Sequence, residues 1–122
     1  MRILVIEGEP VVAMMVVNAL TQAGCEVQAA LNAEKGMKLA QTSEFDLIVL
    51  DMNMPGSFEI CSSLKENPFF QTPIVLVSGQ LRAEDIRQGL DLGAVDYVKK
   101  PFNVLDFVSR ILLHVNPTTV HV

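Results

Sequence analysis

Five short apolar runs, separated by stretches of helical length, constrain the fold of this chain more than any other feature. The runs are RILVI (2–6), EVQAA (26–30), DLIVL (46–50), PIVLV (73–77) and VDYVK (95–99). Three of them are continuous and rich in Val and Ile, as strands covered on both faces must be. The first intervening segment runs from Pro10 to about Ala23 and stops at Gly24. The second runs from about Ala33 to Gln41, with Asn32 placed as its N-cap. The third, about Ser57 to Glu66, is stopped by Asn67-Pro68, and the fourth, about Arg82 to Leu92, by Gly93. The last begins after Asn103, with Asp106 three residues on, and fades at Asn116-Pro117. These are helix start and stop signals. The alternation predicts an α/β domain of (βα)5 type, with a parallel sheet, helices on both faces and right-handed crossovers.

At 122 residues the chain is one domain, with a core over about 2–115 and a short C-terminal tail. Half of its residues are hydrophobic, enough for a core without disulfide or metal staples. A formal charge of -5 argues against nucleic acid or an anionic membrane as a partner. Residues 10 to 25 carry no charge, but Asn18, Thr21, Gln22 and Gly24 interrupt them, so the run is too short to span a bilayer. Acid at position 7 comes too early for a signal-peptide core, and a cytoplasmic location is expected. Cys25 and Cys61 lack CxxC spacing and read as small buried hydrophobes.

In open α/β sheets, ligands bind beyond the carboxyl ends of the strands. Glu7, Gly8 and Glu9 follow the first run, and Asp51 to Pro55 follow the third. Ser78 and Gly79 follow the fourth, and Lys100 and Pro101 the fifth. Three carboxylates at neighbouring strand ends repel one another unless one is protonated or a cation joins them. An all-oxygen donor set suits Mg²⁺, which needs only one or two carboxylates besides water and phosphate oxygens. Lys100 supplies a point charge suited to phosphate, Ser78 a hydroxyl donor, and Asp51 a carboxylate able to form an aspartyl-phosphate. Each feature alone is ordinary in a turn or a solvated loop. Their joint occurrence after four strands is specific.

With these residues in place, the chain resembles the response-regulator receiver domain (CheY-like) of two-component signalling. LIVLDMNMPG (47–56), IVLVSG (74–79), GLDLGAVDYVKKPF (89–102) and ILVIEGEP (3–10) carry the resemblance. It implies a flavodoxin-like sheet of order 2-1-3-4-5. It further implies that Asp51 is the phospho-acceptor, supplied by a histidine kinase or phosphotransfer protein. Ser78 resembles the hydroxyl that bonds the phosphoryl group, Tyr97 the aromatic switch coupled to it, and Lys100 the lysine paired with the acceptor. Glu7, Asp51 and the backbone carbonyl of Asn53 resemble the Mg²⁺ ligands, with Glu9 as a further candidate. The resemblance also implies a cis Lys100–Pro101 bond. The protein so described is expected to be a signalling shuttle or adaptor, or one piece of a longer protein, and not an enzyme.

Two departures lie at the site. The family has two adjacent acids after its first strand, whereas this chain reads Glu7-Gly8. The loop after Pro55 is also about two residues short. A third feature is VVAMMVV (11–17), a full apolar girdle on the first helix, where a sheet-covering helix needs only a stripe. It suggests docking of a partner, or a homodimer, through Val11 to Val17. The alternative function is a pseudo-receiver, a protein-binding module in which Gly8 has abolished phosphorylation. A flavin- or nucleotide-binding protein is excluded by the missing glycine-rich phosphate loop and by acid at the first strand–helix turn.

Overall fold

The strands lie side by side in the order β2-β1-β3-β4-β5, every neighbouring pair parallel. The computed structural model describes residues 1–79 and 82–115. The elements are β1 (Arg2–Ile6), α1 (Pro10–Gln22), β2 (Glu26–Ala30), α2 (Ala33–Thr42) and β3 (Leu47–Asp51), then α3 (Ser57–Glu66), β4 (Ile74–Ser78), α4 (Ala83–Asp91), β5 (Asp96–Lys99) and α5 (Val104–Val115). The expected stop at Asn116-Pro117 and the tail beyond it lie outside the described residues.

Side chains alternate across a strand, and the central strands obey this with apolar residues on both faces. Ile3, Val5, Leu47, Val49, Val75 and Val77 pack with Val16 and Leu20 of α1 and with Phe107 and Ile111 of α5. Leu4, Ile6, Ile48, Leu50, Ile74 and Leu76 face the other way, onto Ile60, Cys61 and Leu64 of α3. Each fully buried aliphatic residue contributes about 1.5–3 kcal/mol relative to exposure. Both cysteines are buried, and burial raises their thiol pKa values. β2 is an edge strand, largely exposed except at Ala30.

Two helices sit unusually close to this second face. A β-carbon on Gly36 of α2 would lie 2.8 Å from Ile6, and one on Gly89 of α4 would overlap the Cδ1 atom of Leu76. Helix starts follow the sequence signals. Asn32 Oδ1 accepts from Lys35 N at 2.8 Å, and Asn103 Oδ1 from Asp106 N at 3.1 Å. Pro10 opens α1, where its missing N–H is no loss.

Strands β3 and β4 end one residue later than their apolar runs, so Asp51 and Ser78 belong to the sheet. Backbone bonding continues past the last hydrophobe: Met52 N donates to Val77 O at 2.8 Å, and Lys100 N to Ser78 O at 2.9 Å. The polar side chains are thus fixed by the ladder instead of riding on loops.

Candidate functional site

The carboxyl ends of β1, β3, β4 and β5 bring Glu7, Asp51, Ser78 and Lys100 to one edge of the sheet. Glu7 and Asp51 are each only 3% exposed. Lys100 Nζ lies 2.8 Å from Glu7 Oε1, 3.6 Å from Asp51 Oδ1 and 4.0 Å from Glu9 Oε1. The ammonium is inaccessible to solvent, and its shortest contact is the one to Glu7. Glu9 stays at the solvent-exposed rim. Its amide donates to Glu7 Oε2 at 3.0 Å, which turns the Glu7 carboxyl inward.

Burial raises the Glu7 pKa above the ordinary carboxylate value, and the adjacent Asp51 carboxyl raises it further, against the opposing pull of Lys100 and the Glu9 amide. Burial disfavours the Lys100 ammonium, but Glu7, Asp51 and Glu9 outweigh it and raise the lysine pKa. Three acids around one base leave an excess of negative charge. A cation would relieve it.

Asp51 is held by the chain on either side. Asn53 N donates to its Oδ1 at 2.9 Å, and Gly8 N approaches Oδ2 at 3.4 Å. The Ser57 hydroxyl, buried at the start of α3, lies within hydrogen-bond distance of the carbonyls of Asp51 and Met54. This clasp closes the shortened loop, and Gly56, at φ +87, makes the turn into the helix. A β-carbon on Gly8 would lie 3.4 Å from Met54 Cγ and 3.8 Å from Asp51 Oδ2. The missing acid would therefore border the acceptor, in contact with the Met54 side chain.

Asn53 Oδ1 lies 3.1 Å from Ser78 Oγ and 3.0 Å from Gly79 N. The sequence pointed to the backbone carbonyl of Asn53, not to this side chain. The Lys100–Pro101 bond is cis, as the resemblance implies. Phe102 stacks on Phe107 with ring centroids 4.6 Å apart, anchoring the segment that carries Lys100. Tyr97 stands apart from the acid–lysine cluster: it is half-buried and packs against the α3-side core. Among the described residues, no group of three or more His, Cys, Asp or Glu side chains is arranged to hold a metal ion.

The α1 girdle divides on folding. Ala13 and Val16 are buried, while Val11 and Met14 are 80% and 66% exposed. Val12 and Met15 line a cavity of about 550 Å³ with Glu9, Asn53, Gly79, Lys100, Pro101 and Phe102. Beyond the site, Asp96 binds Arg110 through two 2.7 Å contacts and His114 at 3.0 Å. No motif announced this triad, since its members are 14 and 18 residues apart.

Residues 3–112 match the response regulator receiver domain family. The chain belongs to that family. It is 35% identical over 113 residues to the transcriptional activator protein IrlR of Burkholderia pseudomallei, covering 91% of this chain and 48% of IrlR. It is 33% identical over 112 residues to the transcriptional regulatory protein TcrA of Mycobacterium tuberculosis, covering 90% of this chain and 44% of TcrA. The chain thus spans about half the length of these relatives. Among solved structures, the chemotaxis protein CheY4 of Vibrio cholerae superposes with a TM-score of 0.84 at 28% identity, over 93% of this chain and 97% of that one. The relatives are named as transcriptional regulators, not as enzymes. That qualifies the expectation of no nucleic-acid partner, which rests on the charge of this chain alone. Among the described residues, no helix is long and apolar enough to cross a membrane.

Proposed function

We propose that this receiver domain takes a phosphoryl group on Asp51 from a phosphohistidine of a histidine kinase or phosphotransfer protein. The observation that carries the reading is the buried Asp51 carboxylate with Lys100 Nζ 3.6 Å from its Oδ1. A module that only bound protein would gain little from burying these charges, because desolvation offsets much of their attraction. In the transfer, a carboxylate oxygen of Asp51 bonds to phosphorus as the phosphorus–imidazole nitrogen bond breaks. The electron pair leaves with the imidazole. Lys100, whose ammonium carries three donors and lies 3.6 Å from Asp51 Oδ1, is placed to hold a phosphoryl oxygen.

The donor set fits Mg²⁺: Asp51, the Asn53 carbonyl and either Glu7 or Glu9 offer only oxygen, and the cluster carries excess negative charge. When bound, the ion neutralises charge on the transferring phosphoryl group. Glu7 is engaged with Lys100, and Gly8 contributes no side chain, so Asp51 and the Asn53 carbonyl would hold most of the ion and its affinity would be low. The phosphate then biases Ser78 and Tyr97, which lie at and near the end of adjacent strands β4 and β5. The apolar wall of Val12, Met15 and Phe102 beside Lys100 suits a donor's helical surface, and the exposed Val11 and Met14 extend it.

Incubation with a small phospho-donor and Mg²⁺ should add one phosphoryl mass to the wild type and none to Asp51→Asn. A Val12→Glu, Met15→Glu variant should still take phosphate from the small donor but lose it from a protein donor. Gly8 favours a second reading, the pseudo-receiver. A mass gain confined to Gly8→Asp would establish that second reading and reject the first.

A further inference from the structure

We propose that the Asn53 side chain is a built-in surrogate for a phosphoryl oxygen, a latch on β4 that the phosphoryl group must displace. This rests on the reading of Asp51 as the acceptor. The geometry defines the latch atom by atom. A backbone amide can only donate, so the Asn53 atom 3.0 Å from Gly79 N is the amide oxygen. That oxygen has no proton to give, so in its 3.1 Å contact with Ser78 the hydroxyl is the donor. One neutral oxygen therefore collects two donors from the end of β4.

The same two donors are the ones that β4 can offer to a phosphoryl group on Asp51. Asn53 is set two residues beyond Asp51, and its own amide donates to Asp51 Oδ1 at 2.9 Å. The side chain thus reaches from the acceptor's loop across to β4, bridging the strand that carries Asp51 and the strand that carries Ser78. The Ser78 proton points at Asn53 before phosphorylation and must be withdrawn from it to serve the phosphate. Bonds to a charged phosphoryl oxygen are roughly twice as strong as bonds to a neutral amide, so the exchange runs downhill. The latch still sets how far downhill, because both of its bonds break first. It also ties the β3–α3 loop to β4 in the resting protein, which keeps Ser78 in place until phosphate arrives.

The test uses the whole chain, ¹⁵N-labelled, titrated with beryllofluoride in saturating Mg²⁺ and followed at the Gly79 amide. Asn53→Ala should bind beryllofluoride about tenfold more tightly than wild type, as expected for removing two competing neutral hydrogen bonds. In a Ser78→Ala background the gain should fall to about threefold, since only the Gly79 bond remains to be relieved. The free Asn53→Ala protein should show faster hydrogen exchange at Gly79. Asn53→Ser, which shortens the side chain and keeps it polar, should give the same ordering and guards against a folding defect in the first variant. Equal or weaker binding by both variants overturns the proposal, and a lower melting temperature without tighter binding makes Asn53 a structural brace. Absence of a complex with every protein overturns the acceptor reading as well, and the Gly79 exchange rates keep the two failures apart.

Discussion

Replacing Gly8 with aspartate puts a carboxylate beside the acceptor. Backbone strain does not oppose it, because Gly8 has no positive φ, and the nearest contact of a new β-carbon would be 3.4 Å, to Met54. That is ordinary van der Waals contact. The cost is electrostatic: the new β-carbon stands 3.8 Å from Asp51 Oδ2, with Glu7 nearby and one lysine among them all. Two unit charges about 4 Å apart repel by about 4 kcal/mol at an effective dielectric of 20. Gly8 is exposed and Lys100 offsets part of the field, so the net loss should be about 1–2 kcal/mol. For a domain of this size that lowers the melting temperature by about 3–8 °C. The assay is thermal unfolding by circular dichroism at neutral pH, first with EDTA and then across a Mg²⁺ titration. Gly8→Asp should melt below wild type in EDTA. It should overtake wild type as Mg²⁺ rises, since a ligand of the folded state stabilises by RT ln(1 + [L]/Kd). Equal melting of Gly8→Asp and wild type in EDTA, with no greater gain from Mg²⁺, would show that a carboxylate at this position neither repels Asp51 nor helps to hold a cation.

Three further outcomes are expected. Lys100→Met leaves Glu7 and Asp51 buried without their cation, and should destabilise by about 2–4 kcal/mol in urea at neutral pH; adding Glu7→Gln should restore at least half. Burial opposes the Asp96 carboxylate, but its bonds to Arg110 and His114 and from the Tyr97 amide prevail and lower its pKa. Its contribution is therefore complete above the unfolded value and lost as pH falls through the folded one. Arg110 is half-exposed, so the term is about 1 kcal/mol, and Asp96→Asn should flatten the urea stability profile below about pH 4 by that amount. Gly36→Ala gains about 1 kcal/mol of helix propensity but drives its methyl into the fully buried Ile6, an overpacking cost of about 1–3 kcal/mol. A net lowering of the melting temperature is expected, and a rise would show that α2 can lift.

The strand–helix alternation and the acids, hydroxyl and lysine at strand ends were legible because each leaves a local signature. Continuous Val and Ile runs mark strands covered twice, and Asn32 and Asn103 mark helix starts. What was not legible depends on distance across the sheet. Glu7, Asp51 and Lys100 were all visible, but not that Lys100 sits closer to Glu7 than to the acceptor. That preference comes from the longer Glu7 side chain and from the Glu9 amide that turns it. Asn53 showed only a place in a motif, since its oxygen meets donors 25 and 26 residues away. Ser57 gave a faint sign, a serine at the start of a helix, yet it reaches back to β3 instead of capping α3. The apolar girdle leaves the first two turns of α1 without a polar face, but only the fold decides which of its residues the sheet covers.

The seat of α4 on Gly89 bears on how motion can travel through this domain. With no β-carbon as a spacer, Leu76 rests against the helix backbone itself, two residues before Ser78 in the same strand. Close-packed interiors resist compression, and such a joint has no slack to absorb a shift. Movement of Leu76 toward α4 is blocked at this point, so a shift of β4 in that direction must carry the helix with it. Gly89 is the point at which the strand that ends in Ser78 and this helix are mechanically joined.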